Sequence, residues 1–245
     1  GNNRTRDQIV RREFRQTEAS WYDGEKIRLS RDRVNRLGYF KDVEIDTQEV
    51  PSTQDQVDLN VKVIEKPTGM LTLGAGFSSA EKVTLSFGIQ QDNVFGSGHN
   101  LGLQVSTSKF NQYYLLNTTD PYFTEDGVSR TFELYHRSSK PYIEQGGNYR
   151  MITSGLGVRF GLPFSELDRV FIGTSAERTE LVKGTNMLGV HEDLCAHFGC
   201  VAQNVPITAG WARDSRDSYL NPNSGKFIRL NSELGAIGDA RYTKL

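Results

Sequence analysis

From Met70 onward the sequence alternates with period two between apolar residues and residues that are small or polar. A chain patterned this way forms strands with one apolar face. Leu71, Leu73, Ala75 and Phe77 share one face, opposite Thr72, Gly74 and Gly76. Val83, Leu85, Phe87 and Ile89 stand opposite Thr84, Ser86, Gly88 and Gln90, and Leu101, Leu103 and Val105 opposite Gly102, Gln104 and Ser106. Ile152, Leu156, Val158 and Phe160 oppose Gly155, Gly157 and Arg159, and Val205, Ile207, Ala209 and Trp211 oppose Thr208 and Gly210. With Tyr113–Thr119, the stretch around Phe132 and Leu134, Arg169–Glu180 and a last strand from Ile228, this makes about nine strands, each of the length a tilted barrel strand needs. The connections after Gln91, Asp120, Pro163 and Asp214 carry Asp, Asn, Pro or Gly with aromatics, while those after Lys140 and Leu181 are longer. Short turns at one end and long loops at the other are the outer-membrane barrel arrangement. A large soluble β-sandwich would also alternate, with more Lys and Glu pairs and fewer glycines on its polar faces.

Composition supports strands apolar on one face only. Of 245 residues 36% are hydrophobic and 24 are glycine. Lys and Arg number 29 against 30 Asp and Glu, so the basic excess usual in nucleic-acid binding is absent. No apolar run is long enough for a membrane-spanning helix, which leaves a barrel open. Gly1–Arg4 is no signal peptide, so any targeting segment is expected upstream, and Arg241–Leu245 looks cut inside a strand.

Ahead of this region lies a mixed segment, which Pro67 separates from it because proline cannot continue a ladder. The expected domains are therefore 1–66 and 67–245. Thr5 to Gln8 has the form of a capping box, and Ile9, Val10 and Phe14 predict a helix through about Ala19. Arg11, Arg12, Glu13, Arg15 and Glu18 take its other positions, as a solvated face or a docking face. Ile27, Leu29, Val34 and Leu37 predict a second helix through about Arg36, with Gly38 as its C-cap. Strands follow at Val43 and Ile45 and at Val57–Val63, joined by a turn at Pro51–Asp55. One more strand, expected upstream of Gly1, would complete such a unit.

Cys195 and Cys200 lie in one loop with His191 and His197. Two Cys and two His raise a zinc site, but the spacing matches no standard finger, and paired cysteines outside the cytosol oxidise. The reading is a disulfide and no metal. No phosphate loop, nucleophile elbow or paired-carboxylate arrangement stands out, so neither enzyme activity nor a cofactor is expected.

Asn35–Phe40 followed by Val43 resembles the signature of a POTRA domain. Gln90–Gly98 resembles the first periplasmic turn of the outer-membrane β-barrel assembly factors, members of the bacterial surface antigen superfamily. Asp120–Phe123 with Asp126–Ser129 resembles the second turn, and Gly161–Pro163 the next. The resemblance implies an α+β POTRA domain, the last before the barrel, followed by an all-β antiparallel transmembrane barrel, about nine of its sixteen strands being present. It implies a bacterial outer-membrane location with the POTRA domain in the periplasm. It also implies folding and insertion of other barrel proteins, the alternatives being a secretion pore of the same superfamily and a passive porin. The partners implied are nascent outer-membrane proteins, periplasmic lipoproteins of the assembly complex and outer-membrane lipid, with no nucleic acid. Arg11, Arg15 and Glu18 are the expected lipoprotein-docking residues. Leu71, Thr72, Leu73, Gly74, Ala75, Gly76 and Phe77 form either a gate strand that pairs with substrate or an ordinary glycine kink in a curved sheet.

Overall fold

The computed structural model describes residues 2–51, 53, 55–79, 81–140, 149–184, 195–196, 199–216, 223–239 and 242–244. They form two compact units, one of Gly1–Met70 with Gln91–Asn100, the other of Leu71–Gln90 with Leu101–Leu245.

The first unit holds α1 (Asp7–Arg11), α2 (Gly24–Arg36), β1 (Phe40–Glu49) and β2 (Val57–Glu65). The Asp23 carboxylate caps α2 by accepting from the Glu25 and Lys26 N–H groups at 3.0 and 3.3 Å. Gly38, at φ +74°, ends it in the left-handed conformation that glycine adopts freely. The first helix is much shorter than the pattern predicts. Thr5 does not cap it; Arg6 stands at the cap position without a side-chain bond, and Thr5 is buried and bonded elsewhere. Beyond Arg11 the chain turns inward. Glu13, expected on a solvated face, is instead buried, 2.9 Å from Arg33 and 3.9 Å from Arg12. A buried carboxylate is tolerated when paired, and here it takes the place of further helix. Ile9, Val10, Val34, Tyr39, Phe40, Val43 and Val63 make the core, with Phe14 and Leu37 packed on it. β1 and β2 pair antiparallel, Val43 facing Val63 and Ile45 facing Val61.

The second unit is one sheet of ten strands: β3 (Gly69–Ser78), β4 (Lys82–Gln91), β5 (Asn100–Thr107), β6 (Asn111–Asp120), β7 (Ser129–Ser139), β8 (Arg150–Pro163), β9 (Asp168–Val182), β10 (Val201–Asp214), β11 (Phe227–Gly238) and β12 (Tyr242–Lys244). Each strand pairs with its neighbours in sequence, the order running from β12 to β3. The strand beyond the expected nine is β12, whose three residues pair with Glu233, Leu234 and Gly235. The strand from Ile228 is therefore not the edge; β12 and β3 are. Among the described residues no helix is long and apolar enough to cross a membrane.

The sheet is apolar on the outside. Leu73 is 73% exposed and Phe77 76%, and Leu134, Leu156, Ile172, Leu230 and Leu234 are exposed on the same face. The described strands of this unit form a single sheet, with no second sheet in the unit to make a sandwich. An apolar surface this extended is unfavourable in water and favourable in hydrocarbon.

Candidate functional site

All seven residues of the expected gate lie on β3. Along the free side of this edge strand runs a row of backbone N–H and C=O groups, a template for pairing with another strand. Leu71, Leu73 and Phe77 are exposed on the apolar face. On the other face a Cβ at Gly74 would stand 2.3 Å from Ser86 Oγ, whereas one at Gly76 would meet open space. On the inner side of β3, Gly74 and Gly76 thus contribute no side chain of their own, and Thr72 lies beside Gly88.

The polar face further along the sheet is held by cross-strand pairs. Arg159 Nη2 donates to Glu133 at 2.7 Å. Tyr135 OH donates to the Glu177 carboxylate, which also accepts from Ser175 at 3.1 Å. Tyr242 OH donates to Glu233 at 2.7 Å. Both tyrosines lie across a glycine in the ladder, Tyr135 against Gly155 and Tyr242 against Gly235. A Cβ at Gly155 would fall 2.4 Å from the Tyr135 ring, so the absent side chain is what lets the ring lie over the strand. The sequence reading missed these pairs, since each needs the register; a tyrosine on the glycine-rich face was the available signal.

In the first unit, residues 91–100 are bound to the α/β domain. The Arg6 N–H donates to the Gly96 carbonyl at 3.1 Å, and Asn93 Nδ2 donates to Thr5 Oγ1 at 2.8 Å. Buried Tyr39 donates its hydroxyl to the Gly98 carbonyl at 3.3 Å. Burial, with Asp92 nearby, pushes the Tyr39 pKa up to about 12, so it stays a donor at neutral pH. Gly96, at φ +70°, lies so near the chain that a Cβ would stand 1.8 Å from the Arg4 carbonyl oxygen. Beneath this, the Glu65 carboxylate accepts from the Asn3, Arg4 and Thr5 N–H groups at 3.0, 3.1 and 2.7 Å. Burial raises the Glu65 pKa, but the bonds from Thr5, Asn3 and Arg4 outweigh it and hold the value at about 2. From sequence Thr5 reads as a helix cap, Tyr39 and Asn93 only as members of longer motifs, and Glu65 not at all, so none is assigned this role. The left-handed Asn93, inside the turn motif, was the one local cue.

Arg11, Arg15 and Glu18 do not share a helix, because α1 ends at Arg11. A loop brings Arg11 and Glu18 into an exposed ion pair at 3.1 Å, and the Arg15 N–H donates to Ser30 Oγ at 2.8 Å. Trp21, on the same loop, is 95% exposed. Cys195 and Cys200 are joined as a disulfide, their Cα atoms 4.5 Å apart. His191 and His197 lie outside the described residues, among which no group of metal-ligating side chains occurs.

The family model for the Omp85 superfamily domain matches residues 93–245, and that for the POTRA surface antigen variable number repeat matches residues 1–66. The chain belongs to the Omp85 superfamily. It is 36% identical over 97% of its length to the outer membrane protein assembly factor BamA of Neisseria meningitidis, covering 31% of that protein. To the BamA of Nitratidesulfovibrio vulgaris it is 32% identical over 96% of its length, covering 29%. The crystal structure of Haemophilus ducreyi BamA lacking POTRA domains 1–3 matches 99% of the chain with a TM-score of 0.78 at 26% identity, 48% of that structure being covered. The chain thus spans about a third of the curated relatives it matches. It is a POTRA domain followed by part of an antiparallel outer-membrane β-barrel, and the POTRA domain lies in the periplasm.

Proposed function

We propose that this chain is the portion of a barrel assembly factor that holds the last POTRA domain, residues 1–66, and the first strands of the barrel, residues 67–245. In this reading the protein folds and inserts other β-barrel proteins into the outer membrane by strand templating, with no enzymatic chemistry and no cofactor. The observation that carries it is β3, the first strand of the barrel, with an apolar outer face and two glycines, Gly74 and Gly76, on its inner face. Few side-chain contacts hold such a strand to a partner, so an incoming strand competes for its backbone groups. Leu71–Phe77 is the gate. Arg11 at the end of α1, with Arg15 and Glu18 on the following loop that carries Trp21, forms the surface for a periplasmic lipoprotein of the complex. The Cys195–Cys200 bridge staples a loop on the opposite side of the membrane. The BamA similarity supports this reading over a secretion pore.

Depletion of the full-length protein from its host tests it. Loss of many unrelated barrel proteins from the outer membrane is the expected result. Loss of a single exported polypeptide, with the other barrels intact, would make the protein a secretion pore instead.

A further inference from the structure

Arg130, the second residue of β7, lies on the outward face of the sheet, since its ladder partner is Phe160 and Phe132 follows on the same side. Its guanidinium carbon is 4.0 Å from the centroid of the Phe123 ring and 5.0 Å from that of Phe132. Phe123 in turn packs at 6.0 Å against Phe160. Arg130 Nε is buried there with no hydrogen-bond acceptor. Asp120 stands opposite in the ladder and accepts from the Tyr122 N–H at 3.1 Å, but Arg130 forms no ion pair among the described residues. Two other arginines at this end of the sheet are neutralised, Arg213 by Asp168 at 3.6 Å and Arg216 by Asp214 at 2.7 Å, while Arg229 stacks on Phe171 and donates to Asn231.

The chain enters β3 from the POTRA domain, so the beginnings of the odd-numbered strands from β3 to β9 mark the periplasmic end. Arg130 therefore stands where the apolar band meets the headgroups of the periplasmic leaflet. A cation on the lipid face is costly at mid-membrane and tolerated at the interface. Aromatic rings hold a guanidinium by its flat face and leave its N–H edge for a planar or tetrahedral oxyanion. With no carboxylate bonded to it and with Nε unsatisfied, the group calls for an acceptor that the described residues do not supply.

We propose that Arg130, clamped by Phe123 and Phe132, is a binding site for the phosphodiester headgroup of an anionic phospholipid in the periplasmic leaflet. The aromatic residues orient the guanidinium, and the lipid phosphate accepts from its terminal nitrogens. The site fixes one lipid against the turn between β6 and β7 and so sets the depth of this part of the barrel.

The test uses full-length protein in non-ionic detergent, titrated with phosphatidylglycerol or phosphatidylcholine of the same acyl chains, with retained lipid counted by native mass spectrometry. Wild type is expected to retain phosphatidylglycerol in preference. Arg130→Gln should weaken that retention about fivefold, the worth of one interfacial arginine. Phe123→Leu, which removes one ring of the clamp and keeps the charge, should weaken it by about twofold to fivefold. Equal retention of the two lipids by wild type overturns the proposal even if a variant fails to fold. Unchanged retention in folded Arg130→Gln, judged by heat-modifiable gel mobility, also overturns it. Displacement of the lipid by millimolar inorganic phosphate would show a free-phosphate site and overturn the lipid assignment.

Discussion

Glu65 shows how one side chain can order a segment far from it in sequence. Its carboxylate gathers three backbone N–H groups from residues 3–5, and Thr5 in turn accepts from Asn93. The folded pKa of about 2 lies below the ordinary value of 4.5. A depressed carboxylate contributes stability that is fully present above about pH 4.5 and is lost as pH falls through about 2. Hydrogen–deuterium exchange on full-length protein should therefore show residues 2–6 and 91–100 losing protection together across that window. Glu65→Gln should lower their protection at pH 7 by about 1–2 kcal/mol and remove the acid dependence. Gly96 is the second such point. Alanine there meets the Arg4 carbonyl and takes an unfavourable φ, so Gly96→Ala should destabilise residues 91–100 by about 2 kcal/mol in the same measurement. Unchanged exchange in that variant would show the close approach to be loose.

At the scale of elements, β3 and the loop after α1 carry the functional proposals. Gly74 lies beside Ser86, whose hydroxyl is the flexible end that a new side chain would displace. Gly74→Val should add cross-strand packing of about 0.2–1 kcal/mol, raise the barrel's heat stability and slow substrate assembly by up to about fivefold. Faster assembly would mean that the glycine serves curvature rather than opening. The loop makes a separate prediction. Arg11 and Glu18 form an exposed pair worth little to stability, so charge reversal at Arg15 or Glu18 should leave the fold intact. It should reduce co-purification of the periplasmic lipoprotein. If both reversals co-purify it unchanged, this face is only solvated.

For the whole molecule, what matters is where hydrogen bonding stops. Within this chain β3 and β12 each have one neighbour, and in a closed barrel β3 would pair with the closing strand. Each ladder bond contributes about 0.5–1.5 kcal/mol net, so under the proposed function a seam held by only a few bonds would open thermally while the rest of the barrel stayed closed. Cysteines placed to cross-link β3 to the barrel's closing strand in the full-length protein should halt insertion of substrates, and reduction should restore it. Assembly at the normal rate in the locked state would make β3 structural only.

Much of this architecture is legible in the order of residues. Alternation of Leu71, Leu73 and Phe77 with Thr72, Gly74 and Gly76 assigns each side chain to a face, because successive strand residues point to opposite sides whatever the strand packs against. Turn residues after Asp120 and Pro163 mark strand ends for similarly local reasons. The same locality explains the failures. Thr5 to Gln8 satisfies the capping pattern, yet Thr5 is claimed by Glu65 and Asn93, which are 60 and 88 positions away. Glu13 looks like a surface charge until Arg33 arrives from α2. Tyr135 lies over Gly155 and bonds Glu177, 42 positions on, only in one register. The covalent order of the chain determined its strands and their faces. Tertiary structure decided which buried polar groups meet and which glycines receive a ring, because those outcomes depend on alignment between segments whose own sequences carry no record of the partner.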